Sequence, residues 1–218
     1  MKYILIKYHK KFETSLDIDI NFNNMKFNCA IIGYGYMGEI RHKIIKKIFN
    51  LNIKYIVDLD ISLIPKNKNY KILSDYKNID FKSVDIFFIC TPNNISPKIV
   101  KKALAFKKYV FCEKPPAKNL KEILDLKKFK YANKNLMFGF NHRFHPSVEK
   151  AKKIIDSNIY GNLICIRGVY GKSGDKNFTN SWRNNKKISG GGILLDQGIH
   201  MLDIYRYFCG NLIKIKMF

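Results

Sequence analysis

Six consecutive residues constrain this chain more than any others. Gly33-Tyr34-Gly35-Tyr36-Met37-Gly38 spaces three glycines as GxGxxG, and its flanks give that spacing a meaning. Just upstream, residues 27–32 form an apolar run of strand length. Just downstream, residues 39–49 carry apolar side chains at 40, 44, 45 and 48, a helical period. A strand–turn–helix of this kind needs one glycine to close the turn, one where the backbone approaches a ligand, and one where helix packs on strand. The free N–H groups and positive dipole end of such a helix favour phosphate. Gly33, Gly35, Tyr36, Met37 and Gly38 are therefore expected to cradle a pyrophosphate.

The same rhythm continues for another hundred residues. Strands are expected over 53–57, 84–90, 109–112 and 136–140, with helices over 97–106 and 118–133 and a loop over 65–70. Strands separated by helices of 10–15 residues indicate repeated βαβ units and a parallel sheet. Asp58 ends the strand at 53–57, twenty residues after Gly38, where a carboxylate accepts from ribose hydroxyls and repels a 2′-phosphate. NAD is thus expected over NADP. Beyond about residue 141 the rhythm changes: a helix over 146–158, an alternating strand over 161–171, a Gly/Ser/Asn-rich loop over 172–191, a helix over 192–208 and an alternating strand over 212–217. Two strands for two helices are too few for a stable sheet face. The fold class is α/β: a Rossmann domain over 25–141, then an incomplete α+β domain over 142–218 with an open sheet, with residues 1–24 as an extension.

Three further motifs sit where ligands bind in an open parallel sheet, beyond the strand C-termini, or on a helix that follows. Thr91-Pro92-Asn93 offers hydrogen bonds to a nucleotide, although an ordinary Pro-Asn turn reads the same way. Glu113-Lys114-Pro115-Pro116 follows the strand at 109–112. Prolines freeze the backbone behind Lys114, and a rigid, partly desolvated lysine beside a cofactor can share its proton with an alcohol or carbonyl oxygen. One surface lysine among many is the plain alternative. Gly190-Gly191-Gly192 precedes a stretch in which Asp196 and His200 stand four apart, on one face if helical. Removing hydride from an alcohol carbon requires loss of the hydroxyl proton; a histidine accepts it and a carboxylate one turn away orients the ring. An incidental i,i+4 pair on a capped helix is the alternative.

Composition removes several other classes. Among 218 residues, 46% are hydrophobic and 26% charged, which suits a globular chain and not disorder. No apolar run approaches the length needed to span a bilayer, and the first residues lack a cleavage site, so neither a membrane nor secretion is expected. The net charge of +23 invites a polyanion, yet the basic residues comprise 35 lysines and only five arginines, spread evenly. Nucleic-acid recognition leans on arginine, so the charge reads as a compositional bias that at most attracts a phosphate-bearing substrate. The five cysteines (29, 90, 112, 165 and 209) are odd in number and form no CxxC, which indicates reduced thiols in a cytoplasmic protein and no zinc site.

Taken in order, the GxGxxG, Asp58, the TPN turn, the EKP, Asn141-His142-Arg143-Phe144-His145-Pro146, Trp182-Arg183 and the GGG…LDxGxH stretch resemble the Gfo/Idh/MocA family of sugar and polyol oxidoreductases. The resemblance runs from about residue 25 to the last. It implies a Rossmann domain joined to a C-terminal α+β domain whose open sheet mediates homo-oligomerisation. It also implies an NAD-dependent exchange of hydride with a secondary alcohol of a sugar, sugar nucleotide or polyol. By the same resemblance Lys114, Asp196 and His200 are the catalytic set; Thr91, Pro92, Asn93, Glu113 and Lys114 complete the cofactor site; and Asn141, Arg143, Trp182, Arg183 and His200 lie near nicotinamide or substrate. The chain departs from the family pattern in three ways. Lys107 stands where a glycine is common, at an expected left-handed cap costing about 1 kcal/mol, and Ser96 stands where a histidine is common. The chain also ends where the family continues, so a truncated, nucleotide-binding but weakly active or inactive form is the alternative expectation, with a mis-called start for residues 1–24.

Overall fold

A computed structural model describes residues 25–171 and 181–211 of the chain. The expected extension at 1–24 and strand at 212–217 lie outside these residues, as does part of the loop expected over 172–191. By contacts the described chain divides into two compact units, one of residues 25–139 and 181–196, the other of residues 140–171 and 197–211.

In the first unit, strands β1 (Phe27–Ile32), β2 (Leu51–Val57), β3 (Lys71–Leu73), β4 (Ile86–Ile89), β5 (Tyr109–Cys112) and β6 (Leu136–Phe138) form one sheet in the order β3-β2-β1-β4-β5-β6. Every pairing is parallel. The order reverses between β1 and β4, the crevice where open parallel sheets bind ligands. Helix α1 (Tyr36–Ile45) crosses from β1 to β2, α2 (Ser96–Ala105) from β4 to β5, and α3 (Leu120–Lys127) and α4 (Ala132–Asn135) lead into β6. Central strands are apolar on both faces because helices cover both. Accordingly Ala30, Phe87, Ile89, Ile99 and Val100 are fully buried in one cluster, with Phe81 stacked on Phe87 at 4.8 Å.

The differences from the sequence expectations are local. The first helix begins three residues earlier than its apolar period and ends at Ile45, where tight turns take over (Lys47 N–H to Ile44, Ile48 N–H to Ile45). The helix expected over 118–133 is broken: Asn119 caps α3 by accepting from Glu122 N–H, and residues 128–131 turn before α4. Strand β3 is three residues long, too short to show a period. Lys107 does adopt the left-handed conformation, φ 59°, between α2 and β5.

The second unit contains helix α5 (Pro146–Ser157), closed by Asn158 at φ 53°, and helix α7 (Ile199–Cys209); α6 (Lys186–Ser189) belongs to the first unit. Among the described residues, the strand expected over 161–171 has no partner: residues 162–171 make no ladder there. Alternation alone does not make a strand, which needs a partner to take its N–H and C=O groups. The helix expected over 192–208 begins instead as a π-helical turn, Leu194–Gly198, before α7.

Candidate functional site

The glycine turn is built as its spacing demands. Gly33 sits at φ 90°, and a Cβ there would lie 2.7 Å from the Cys90 carbonyl carbon and oxygen, so β1 and β4 approach closely only through glycine. A Cβ on Gly38 would lie 2.0 Å from the Gly33 carbonyl oxygen, which is the helix-on-strand contact. Gly35 differs from both. It caps α1 with no side-chain hydrogen bond, and a Cβ there would meet nothing within 4 Å. The first amides of α1, at Tyr36, Met37 and Gly38, have no acceptor within the helix, and the space before them is open. The cradle therefore fits a dinucleotide pyrophosphate.

Asp58 stands at the end of β2 with Oδ2 accepting from Tyr34 N–H (2.6 Å) and Oδ1 from Asp60 N–H (2.9 Å). The carboxylate braces the glycine turn, and each oxygen retains a lone pair for a further donor. A cavity of about 550 Å³ opens on the outer flank of α1, against the loop that carries Leu63, Pro65 and Tyr70. The Thr91-Pro92-Asn93 turn is used internally. Thr91 Oγ1 and Ser96 Oγ lie 2.9 Å apart, the Pro92 carbonyl accepts from Ser96 N–H, and Asn93 Nδ2 donates to the Ser189 carbonyl at 2.7 Å. Asn93 thus latches the approach to the triple glycine, a positioning role that the sequence reading did not foresee. Ser96, where the resemblance implies a histidine, donates to the Thr91 carbonyl.

Glu113 and Lys114 follow β5 and take opposite sides of an ionic arrangement. Glu113 Oε1 accepts from Arg41 Nε (2.8 Å) and Arg41 Nη2 (2.5 Å), and the guanidinium lies 4.5 Å over the Phe111 ring. Burial pushes the Glu113 carboxyl up from the usual range, with Arg41 pulling the other way. Arg41, one of only five arginines, was not anticipated; that scarcity in a lysine-rich chain is the one signal that marks it. Lys114 Nζ donates to the Asp196 carbonyl oxygen (2.6 Å) and to its carboxylate Oδ1 (3.2 Å). Burial lowers the lysine's pKa, Asp196 opposes the shift, and Arg183 reinforces it. Arg183 Nε is 3.7 Å from the same Oδ1, and its guanidinium stacks 4.6 Å over the Trp182 ring. Trp182 and Arg183 thereby join the lysine and the aspartate in one cluster, and Trp182, Arg183 and Asp196 border a gap of only about 10 Å³.

In the second unit His200, 4% exposed near the start of α7, lies face to face with His142, ring centroids 4.0 Å apart at 17°. Phe140 meets His200 edge-on at 6.3 Å, and Tyr170 lies 5.6 Å from His142. Sequence reasoning quoted His142 within a motif without giving it a role. Arg143 is bound to Asp203, Nε to Oδ2 at 2.7 Å and Nη2 to Oδ1 at 2.5 Å, so its fork fixes the 141–144 turn to α7. Asn141 opens that turn and is exposed. Asp196 and His200 fall in different units, and the π-helical turn between them does not repeat at four residues as an α-helix does. Among the described residues there is no group of three or more His, Cys, Asp or Glu that could hold a metal, and no helix long and apolar enough to cross a membrane.

Comparison with known proteins agrees with this geometry. The Thermotoga maritima myo-inositol 2-dehydrogenase is 28% identical over 84% of this chain and 54% of its own length. A solved levoglucosan dehydrogenase, in complex with NADH and levoglucosan, superposes with a TM-score of 0.73 at 30% identity, covering 85% of this chain and 54% of that one. An oxidoreductase of Bacillus subtilis, YrbE, is 30% identical over 84% of this chain and 53% of its own length. The chain therefore spans about half the length of the curated relatives it matches. The family description "GFO/IDH/MocA C-terminal domain" matches residues 148–217, and "Oxidoreductase family, NAD-binding Rossmann fold" matches residues 27–141, over half of the sequence. With the glycine turn and the parallel strand order in keeping with that description, the chain belongs to the Gfo/Idh/MocA oxidoreductase family.

Proposed function

We propose that this chain carries the NAD-binding and acid–base residues of a dehydrogenase that acts on a secondary alcohol, or the matching ketone, of a sugar, sugar nucleotide or polyol. Residues 25–141 serve as the dinucleotide domain and residues 142–218 as part of the substrate domain. The observation that carries the reading is Lys114: a half-buried ammonium at the C-terminal end of a central strand, held by Asp196 with its pKa displaced downward. Such a group is positioned for proton sharing rather than for solvation.

Bound NAD would supply the hydride acceptor at the nicotinamide ring. The chain's own residues do the rest. The α1 amides hold the pyrophosphate, Asp58 accepts from the adenosine ribose, and Asn93 keeps the 189–196 segment in place. Lys114 donates a hydrogen bond to the reacting oxygen, and Asp196 keeps the ammonium from wandering into solvent. His200, buried against His142, takes the hydroxyl proton in oxidation and returns it in reduction. The names of the relatives, which include an inositol and a levoglucosan dehydrogenase, support the substrate class.

The test measures binding and turnover separately on the purified chain. Lys114→Ala and His200→Ala are each expected to lower polyol-dependent NADH formation about 10²-fold while leaving NAD affinity within about twofold. Undiminished turnover in either variant removes that residue from the mechanism. NAD binding without any turnover in the parent chain favours a nucleotide-binding role alone.

A further inference from the structure

Arg183 faces the same carboxylate oxygen as Lys114, and this shared use of one acceptor has a chemical consequence. A lysine alone with a carboxylate would settle on it as a simple ion pair and hold its proton tightly. Here the shorter of the two lysine contacts is to the backbone carbonyl of Asp196 (2.6 Å), and the carboxylate Oδ1 is farther off at 3.2 Å. Arg183 Nε stands 3.7 Å from that oxygen. The arginine does not hang freely: its guanidinium lies over the Trp182 ring at 4.6 Å, a stacking that Arg makes well and Lys does not. Both residues sit on the short 3₁₀ turn Trp182–Asn184, begun by Ser181, whose Oγ accepts from Arg183 N–H.

We propose that Arg183 is a positioning residue for Lys114: fixed on Trp182, it shares Asp196 Oδ1 with the ammonium and keeps the lysine from closing onto the carboxylate. The charged groups facing Lys114 are Asp196, Arg183 and, next in sequence, Glu113, whose own charge is occupied by Arg41. Of these only Arg183 repels the protonated lysine. Its removal therefore takes away the one repulsive charge and raises the lysine's affinity for its proton, whereas its replacement by a cation without the stacking raises it less. The inference rests on the reading of Lys114 as the group that polarises the substrate oxygen. It also replaces a direct substrate contact as the first duty of Arg183.

The experiment reads the lysine itself and not the reaction. The purified chain is acylated with acetic anhydride across pH 6–11, and the modified fraction at Lys114 is followed by peptide mass spectrometry, with NAD binding as the check on folding. In the parent chain the Lys114 midpoint is expected below that of the surface lysines. Arg183→Gln is expected to move it upward and to cut labelling at pH 8 about threefold or more, since one pKa unit corresponds to tenfold. Arg183→Lys, which keeps the charge but loses the stacking on Trp182, is expected to restore part of the shift. Simple unmasking would instead raise the rate at every pH with no change of midpoint. Should Arg183→Gln fail to bind NAD, Trp182→Ala leaves the charge but removes its support, and a smaller upward shift is expected. A Lys114 midpoint that stays put or falls in the folded variant overturns the proposal. Failure of the dehydrogenase reading would show separately, as undiminished turnover in Lys114→Ala.

Discussion

In the sheet unit, Ile31, Ile56, Phe87 and Ile99 have no exposed surface, whereas in the second unit Tyr160, Ile164 and Val169 are almost wholly exposed. Among the described residues every buried hydrophobic side chain falls between Cys29 and Ala132. The only buried polar or charged residue of the second unit among them is His200. What organises that unit is directional contact: the fork of Arg143 on Asp203, the same guanidinium 5.1 Å over Tyr207, and the His142–His200 stack. Among the described residues, one unit is specified by volume and the other by a few geometrically exacting pairs. The two should respond to opposite kinds of substitution.

The largest effect is expected in the sheet. Phe87→Ala empties the centre of the main cluster and removes the partner of Phe81, at a cost of about 3–5 kcal/mol in chemical denaturation. A loss below about 1 kcal/mol would mean that the sheet is not the stability-determining unit, and the contrast would collapse. A middle-sized effect belongs to the second unit. Arg143→Gln leaves the largely buried Asp203 carboxylate without its fork, which is expected to cost about 1 kcal/mol, moderated by the partial exposure of Arg143. The telling readout is local: hydrogen exchange should accelerate along α7 and the 141–144 turn while β1, β4 and β5 keep their protection. Uniform acceleration would show the two units to be one cooperative body.

How much was legible follows the same division. The sheet could be read because GxGxxG, Asp58 and runs such as 109–112 encode local physics: a turn only glycine permits, and strands buried on both faces. Lys107 was legible for a different reason: the resemblance puts a glycine at that corner, which implies the left-handed backbone that the lysine adopts. Strand β3 was not legible because three residues carry no period, and the break at Lys128 was not because it depends on the 128–131 turn rather than on composition. At the site, Lys114 and Asp196 were visible as motif residues, but their pairing was not, being a contact across 82 positions. Asn93 Nδ2 donates to the Ser189 carbonyl across 96 positions, and the counter-charge of Glu113 comes from Arg41, 72 residues away. At 161–171 the alternation of a strand is present, but no ladder accompanies it among the described residues.

The smallest expected effect tests that last segment. Ile164 is 98% exposed, and its neighbours make no ladder among the described residues. An apolar side chain that loses no water contact on folding contributes nothing through the hydrophobic effect. Ile164→Ser should therefore change stability by no more than about 0.5 kcal/mol, the range of surface substitutions away from special features. It also removes one member of an exposed apolar set, so solubility should rise if it changes at all. The measurement is denaturation at two protein concentrations a hundredfold apart. A negligible, concentration-independent change keeps the contrast as drawn, with this surface energetically silent. A loss above about 1 kcal/mol that grows with concentration would place Ile164 under a second copy of the chain, because only association makes stability depend on concentration.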